Sequence, residues 1–384
     1  IIEYMRGVYV LLLISLFGYA GRVGGQESVT ITQCYEWARA NYPQIHQMGL
    51  IDQTERYSLS NVGKAWLPQL SVSGKASYQS DVTKLPFDGD KISSLLPGFE
   101  IPSLSKDQYQ VVAQVDQTIW DGGSARSARA LTRAEATANR EQLESELYAL
   151  NDRVNQLYFG CLLQDELIRQ NALLQKELQV NIERIEAMME NGVANQSDLE
   201  SMEVELLNAR QNEIELKASR TVYRQMLATF INKPLTDQVV LKTPESPERS
   251  LSTQINRPEL RALDAKSEWI ETQNKQVTAG LMPRIGAFVQ GGYGRPGLNM
   301  LEDSFEPYYV AGVRLSWNLG KLYTLKNDRR KIEVSRRQID VQRETFLFNT
   351  RLQLLRQNTE IKKMTDLMRA DDDIIRLRTS RQRR

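Results

Sequence analysis

The chain contains an internal duplication, and this feature constrains its fold more than any other. Residues 43–78 align without a gap with residues 258–293, 215 positions further along. Each copy leads to a second landmark, Trp-Asp-Gly-Gly at Trp120 and Trp-Asn-Leu-Gly at Trp317, and then to a long helical tract. Such a repeat predicts an architecture built from similar units. The repeated order of helix, strand, strand and long helix favours a scaffold or conduit over a catalytic domain.

The composition excludes several classes of function. Basic and acidic residues number 49 and 48, which argues against nucleic-acid binding because such proteins carry a net positive charge. Histidine occurs only at His46 and cysteine only at Cys34 and Cys161, too few ligands for a zinc or iron centre. No nucleophile, base or phosphate-binding loop converges, so we expect neither an enzyme nor a cofactor. Nothing in the sequence brings the two cysteines together, so free thiols are expected, although an oxidising compartment would permit a disulfide.

Residues 5–25 have the pattern of a secretory signal peptide. Arg6 precedes an apolar stretch that runs from Val8 to Ala20, and small residues follow it. The stretch is shorter than the roughly 20 residues that a membrane-spanning helix requires. No other segment of the sequence approaches a transmembrane helix. We therefore expect the chain to be secreted across the inner membrane.

Four short segments alternate strictly between apolar and polar residues, which is typical of strands with one apolar and one polar face. Val72, Val111, Val289 and Val313 represent the apolar side. The candidate residues of the polar side are Ser71, Ser73, Lys75, Gln114, Asp116, Thr118, Gln290, Arg314 and Ser316. Two interpretations stay open on this pattern. One is a soluble antiparallel sheet, and the other is a transmembrane barrel whose polar residues face a lumen.

The barrel interpretation has a consequence for assembly. A sheet within a membrane cannot leave an unpaired edge facing lipid, because each unsatisfied backbone group costs several kcal/mol there. Four strands are too few to close a barrel around a lumen, since a small barrel needs about eight. If the four segments span a membrane, several chains must share one barrel.

Long amphipathic helices follow the strands. After Trp120 no proline occurs until Pro234, and apolar residues recur every three or four positions as in a coiled coil. This seam comprises Leu143, Leu147, Leu150, Val154, Leu157 and Cys161. An Asn-Gly pair at 191–192 predicts the end of the first helix. We expect a return helix over about 198–232, with Ser197 or Asp198 as its N-cap.

In their order, these segments resemble the TolC-like outer-membrane efflux proteins of Gram-negative bacteria. The resemblance covers nearly all of the chain beyond the predicted signal peptide. It rests on the opening at 31–43, the Leu-Pro-Gln-Leu at Leu67, the motif at Trp120, the turn at 191–198 and the Met-Pro-Arg-Ile at Met282. It implies a mainly α-helical protein with a transmembrane β part. Three chains would each give four strands to one barrel of twelve and build a coiled-coil tunnel into the periplasm.

The resemblance also implies a function. Such proteins form the exit duct of a tripartite efflux pump or a type I secretion system, in which molecules such as drugs pass without catalysis. The implied partners are two further copies of the chain, outer-membrane lipid, a periplasmic adaptor protein and an inner-membrane transporter. The implied adaptor contact is the turn comprising Gly192, Val193, Ala194, Ser197 and Asp198. The alternative is that Gly192 and Asp198 only cap helices. The segments 80–107 and 295–306 would form the extracellular mouth.

The predicted domains are a first repeat at 26–232, an irregular equatorial linker at 233–256 and a second repeat at 257–384. The distance from Trp120 to its turn at Asn191, counted from Trp317, ends at about residue 388. The second repeat is therefore expected to lack its return helix. The resemblance implies that this helix carries the gating residues, which would lie beyond Arg384, so the tunnel is expected to be defective at its periplasmic end.

A second interpretation belongs to another functional class. The same sequence is compatible with a secreted coiled-coil stalk whose strands form a soluble sheet without a pore. Extraction of the protein as a salt-soluble monomer would favour this stalk, and a detergent-extracted, heat-modifiable trimer would favour the duct.

Overall fold

The structure is a computed structural model, and it describes residues 28–83, 104–245, 255–299 and 302–382. The predicted signal peptide lies outside the described residues, as do most of the predicted mouth segment at 80–107 and part of the linker. In chain order the elements are β1 (Ser28–Val29), α1 (Ile31–Asn41), α2 (Gln47–Lys64), β2 (Gln69–Tyr78), β3 (Asp107–Trp120), α3 (Ser124–Tyr148), α4 (Leu150–Glu190), α5 (Gln196–Ile231), β4 (Val240–Leu241), α6 (Pro258–Ala279), β5 (Arg284–Arg295), β6 (Glu306–Ser316) and α7 (Lys321–Gln382).

The element order confirms the duplication. In the first copy α2 leads to β2, β3 and the long α3, and in the second copy α6 leads to β5, β6 and the long α7. The aligned prolines hold equivalent positions, because Pro43 starts a short 3-10 helix before α2 and Pro258 starts α6. Proline suits the first helical position, where its missing N–H would have no intrahelical partner.

The chain divides into two compact units, each made of segments from separate parts of the sequence. Unit 1 contains the described residues up to Gln47 and those from Leu143 to 245. Unit 2 contains 48–142 and 255–382, again without the undescribed segments. These units divide the sequence differently from the predicted repeats, so the predicted domain boundaries stay a prediction.

Unit 1 has a buried core between α1, α4, α5 and the parallel pair β1–β4. Three residues of the predicted seam, Val154, Leu157 and Cys161, belong to this core, and the other three, Leu143, Leu147 and Leu150, are buried as well. Tyr158 is fully buried, and its hydroxyl is shared between the carbonyl oxygens of Val29 at 2.8 Å and Lys242 at 2.6 Å. The strand β4 lies inside the segment predicted as an irregular linker. Tyr158 therefore ties both short strands to α4.

Two cysteines also lie in this core. Cys34 and Cys161 are both completely buried, and both are free thiols as expected. The expectation that nothing brings them together is wrong, because α1 packs against α4 and places both side chains in one cluster. Burial raises the pKa of Cys34 to about 11, and the charge of a Cys161 thiolate would add to the shift. Burial likewise raises the pKa of Cys161 to about 11.

Unit 2 contains one four-stranded antiparallel sheet in the order β2-β3-β5-β6. The two copies meet where β3 pairs with β5, in a register that aligns Gln114 with Gln290. A β-bulge between Thr118 and Trp120 shifts this register, so that Trp120 pairs with Ile285. Beside the sheet, α6 packs on α7 through Ile270, Ile332 and Ile339. In the described part of the chain, no helix is both long and apolar enough to cross a membrane.

Candidate functional site

The central strands of the unit 2 sheet expose their apolar residues and partly shelter their polar ones, whereas the edge strand β2 exposes both. Along β3, Tyr109, Val111, Ala113 and Val115 are exposed, whereas the residues between them are half-buried. The exposed fraction reaches 71% for Leu70 and 79% for Tyr309 on the two edge strands, β2 and β6. A sheet in water buries its apolar face instead. We call these two surfaces the apolar face and the polar face.

Aromatic residues border the apolar face at both ends of the strands. Exposed tyrosines lie at the end that leads into the loops, and exposed tryptophans lie at the end that leads into the long helices. They are Tyr78, Tyr109, Tyr293 and Tyr309 at the loop end, and Trp120 and Trp317 at the helix end. The bulge places Trp120 on this face, beside Ile285. Two aromatic rows around an apolar band are typical of transmembrane barrels.

The structure places the predicted polar residues on one face and brings several together. Ser71 pairs with Gln114 and Gln114 pairs with Gln290, so these three side chains form a row across three strands. Gln114 donates a hydrogen bond of 2.7 Å to Asp116. Arg314 lies beside Asp116, with 3.8 Å between Nη1 and Oδ1. The rest of the predicted set follows the same alternation: Ser73 and Lys75 on β2, Thr118 on β3, and Ser316 on β6.

Sequence analysis missed the aromatic residues on the polar face. The ring of Phe288 lies over Gly312, where an added Cβ would come within 3.1 Å of the ring. Tyr308 lies over Gly292, where an added Cβ would clash with the ring, and its hydroxyl accepts a hydrogen bond from Gln110. Counting alternate positions through Gln290 would have found Phe288. Both rings need a glycine on the adjacent strand, which explains two glycines of this face.

The turn between α4 and α5, which we call the hairpin tip, has a defined local structure. Gly192 follows the last helical turn with φ of +74°, a conformation that glycine adopts without strain. The amides of Gly192 and Val193 donate to the carbonyls of Met189 and Met188, which gives a Schellman motif. This confirms the predicted role of Gly192 in ending the first helix.

The start of α5 differs from the prediction. The N-cap is Asn195, whose side chain accepts a hydrogen bond from the amide of Asp198 at 3.0 Å. The Asp198 carboxylate in turn accepts from the Asn195 amide at 3.1 Å. Neither Ser197 nor Asp198 is therefore the N-cap, because a capping box places the cap three residues before its acidic partner. At the tip Val193 is exposed and Ala194 is half-buried.

Comparison with known proteins identifies the family. The family model described as outer membrane efflux protein matches residues 34–233, which is more than half of the chain. The chain belongs to the outer membrane efflux protein family. No curated protein matches the sequence significantly. The predicted outer-membrane location and the resemblance to this family are therefore confirmed, and the family is one of channel proteins rather than enzymes.

Solved structures of outer-membrane channels share the fold at low sequence identity. VceC of Vibrio cholerae is 14% identical with a TM-score of 0.55, and the match covers 83% of this chain and 75% of VceC. CmeC of Campylobacter jejuni is 12% identical with a TM-score of 0.56, over 83% and 68% of the two chains. MtrE of Neisseria gonorrhoeae is 16% identical with a TM-score of 0.51, over 83% and 69%. The predicted fold class, mainly helical with a transmembrane β part, is thereby confirmed.

Proposed function

We propose that this outer membrane efflux protein is one subunit of a trimeric exit duct in a tripartite efflux pump or a type I secretion system. The duct is a passive channel for small molecules such as drugs, and the partner pump supplies the energy. The observation that carries the proposal is a sheet that exposes a continuous apolar face and gathers polar residues on the opposite face, where those of β3 are half-buried. Lipid satisfies such an apolar face, and a water-filled lumen satisfies the polar one.

The strands have the dimensions that this function requires. A transmembrane strand tilted by about 45° needs roughly 9–11 residues. The four strands contain 10, 14, 12 and 11 residues. Among the described residues of one chain, β2 and β6 each have an edge without a partner strand, because the sheet order ends at both. Three copies joined edge to edge would close these edges in a barrel of twelve strands, which is the homotrimer that the proposal requires.

The hairpin tip is the proposed contact for the periplasmic adaptor. Its exposed Val193 is an apolar side chain with 69% of its surface free, held in place by the Schellman motif and the capping box. Exposed apolar residues on a rigid turn are suited to docking because little conformational entropy is lost on binding. The inner-membrane transporter would act behind this adaptor.

A pair of adjacent cysteine substitutions tests which face lines the lumen. We would place Ser73→Cys and Val72→Cys separately in a chain that also carries Cys34→Ala and Cys161→Ala, and record conductance in planar bilayers. Since Ser73 lies on the polar face, a charged water-soluble thiol reagent should change the conductance of that variant. The neighbouring Val72→Cys variant is the matched control and should keep its conductance.

Two outcomes would contradict the duct. One is a salt-extracted monomer without conductance, which the stalk interpretation expects. The other is an equal effect of the reagent at both positions, because that would mean that water reaches both faces.

The adaptor contact needs a test in cells. Val193→Asp should lower efflux-dependent drug resistance while the purified protein keeps its bilayer conductance. Asn212→Asp, an exposed change in the middle of α5, is the control and should leave resistance unchanged. Full resistance with Val193→Asp would contradict the adaptor contact and leave the channel itself in place.

A further inference from the structure

A cleft lies in unit 2 where the polar face of the sheet meets the ends of α2 and α3. Its volume is about 440 Å³, within the usual range of roughly 300–1,000 Å³ for sites that bind small molecules. The side chains of Trp66 and Phe288 give it aromatic walls. Its charged residues are Asp116, Asp121, Arg284 and Arg314. The hydrogen bonds of these four residues decide what kind of ligand the cleft can accept.

The two carboxylates differ in how far they are engaged within the protein. Asp121 accepts hydrogen bonds from the amides of Gly123 at 2.9 Å and Ala125 at 2.5 Å, one on each oxygen, at the start of α3. Asp116 accepts from Gln114 on one oxygen and has Arg314 near the other. Asp121 therefore has a protein donor on each oxygen, whereas Asp116 Oδ1 accepts no hydrogen bond within the described residues and has its charge offset by the guanidinium of Arg314.

The two guanidinium groups keep most of their donors free. Arg314 stacks on the ring of Phe288 with 4.7 Å to the centroid, and its side chain is 58% exposed. The 3.8 Å between Arg314 and Asp116 is too long for a hydrogen bond. Arg284 donates one hydrogen bond of 3.1 Å to the hydroxyl of Ser124. A guanidinium carries five N–H donors, and within the described residues neither arginine makes another hydrogen bond.

We propose that this cleft binds organic anions with an apolar, preferably aromatic, body. The carboxylate or sulfonate of the ligand would accept hydrogen bonds from Arg314 and Arg284, because Arg presents a planar fork that fits such groups. Its apolar body would lie against Trp66 and Phe288. The inference rests on the proposed function, since only a lumen face would meet exported molecules.

Calorimetric titration of the full chain in detergent tests the site directly, with 2-naphthoate as the probe. The unsubstituted chain should bind naphthoate, and 2-naphthylmethylammonium, which has the same rings and the opposite charge, should not bind. Arg314→Gln should weaken naphthoate binding at least about tenfold, because a charge-assisted hydrogen bond is lost. Phe288→Leu should weaken it several-fold while leaving the arginines in place.

The control is Lys75→Gln, which removes a cation from the same face outside the cleft and should leave binding unchanged. Arg314→Lys keeps the charge without the planar fork and should give intermediate affinity. Arg284→Gln provides a second variant if Arg314→Gln does not fold. The proposal is overturned if naphthoate does not bind, if both arginine-to-glutamine variants bind it like the unsubstituted chain, or if the cationic probe binds equally well.

Bilayer conductance separates this proposal from the proposed function. A chain that conducts but does not bind naphthoate would refute the anion site alone. A chain that binds naphthoate through Arg314 but does not conduct would refute the duct and leave the site in place.

Discussion

The core of unit 1 and the sheet of unit 2 differ in how much of their apolar side chains they expose. In unit 1 residues such as Tyr158 and Leu227 are removed from water by contacts within one chain. In the sheet, Leu70 and Val313 remain exposed, each with about 70% of its surface free. The hydrophobic effect can therefore stabilise unit 1 without a partner, whereas the sheet gains that stabilisation only when lipid covers its apolar face. The difference predicts that substitutions in the two regions respond to different surroundings.

The largest effect is expected in the unit 1 core. Leu227→Ala removes a completely buried side chain and leaves a cavity, so it should destabilise unit 1 by about 2–5 kcal/mol. Hydrogen exchange of the α5 amides in detergent would measure this loss. Leu70→Ala, on the exposed face of β2, is the matched control and should change exchange of the same amides little. Equal effects of both substitutions would refute the contrast between the two regions.

A charge on the apolar face should act only in a membrane. Val72→Arg should destabilise the inserted protein by about 2–4 kcal/mol, as expected for arginine facing the lipid near the middle of a barrel strand. Ser73→Arg, one position further on the polar face, should cost much less. The yield of folded protein in lipid vesicles, measured at a series of urea concentrations, would give the loss of stability for each variant. A Val72→Arg variant that inserts as well as Ser73→Arg would indicate that this face does not contact lipid.

Sequence patterns were sufficient for some elements and insufficient for others, for physical reasons. The strand β2 and the end of α4 depend on local signals, namely alternation over ten residues and the Asn-Gly pair at 191–192, and both were predicted correctly. The N-cap of α5 was misplaced because several adjacent residues, among them Asn195 and Asp198, can cap a helix, and only the backbone conformation decides between them.

Long-range contacts were beyond the reach of the sequence patterns. The meeting of Cys34 and Cys161 depends on the packing of α1 against α4, which no local signal encodes. Phe288 was missed because the role of an aromatic residue at a polar position depends on its neighbours on the adjacent strand. These neighbours are Arg314 and Gly312, and they are known only from the structure. The cleft beside Phe288 was missing from the predicted site for the same reason.

A single hydroxyl group tests how tightly β1 and β4 are held in unit 1. Tyr158→Phe keeps the ring but leaves the carbonyls of Val29 and Lys242 without this donor. The loss of a buried hydrogen bond should cost about 1–3 kcal/mol. The exchange of the Lys242 amide, which donates to Val29, should accelerate in proportion. Unchanged exchange at Lys242 would mean that the hydroxyl does not hold the strand pair.

The cysteines give unit 1 a pH dependence that the sheet should lack. Their pKa values are raised by burial from near 9 to about 11, so folding favours the neutral thiols. This stabilisation is present in full below pH 9 and is lost as the pH rises towards 11. Between pH 9 and 10 the contribution of each thiol to the free energy of unfolding should fall by roughly 1 kcal/mol. Urea unfolding in the presence of a reductant would measure this loss. A chain with Cys34→Ala and Cys161→Ala should keep only the smaller loss that comes from groups such as Tyr158, whose pKa burial raises to about 12.

The most local effect is expected at the hairpin tip, where neither a buried core nor lipid contributes. Asn195→Ala removes the side-chain acceptor for the Asp198 amide and should cost about 0.5–2 kcal/mol, confined to the first turn of α5. Hydrogen exchange at Asp198 should therefore accelerate, while exchange near Leu227 stays unchanged. Asn195→Asp is the matched control, because aspartate also caps helices and should retain protection. Faster exchange near Leu227 in the Asn195→Ala variant would mean that the tip and the core unfold together. The buried residues of unit 1 would then not be the sole source of its stability.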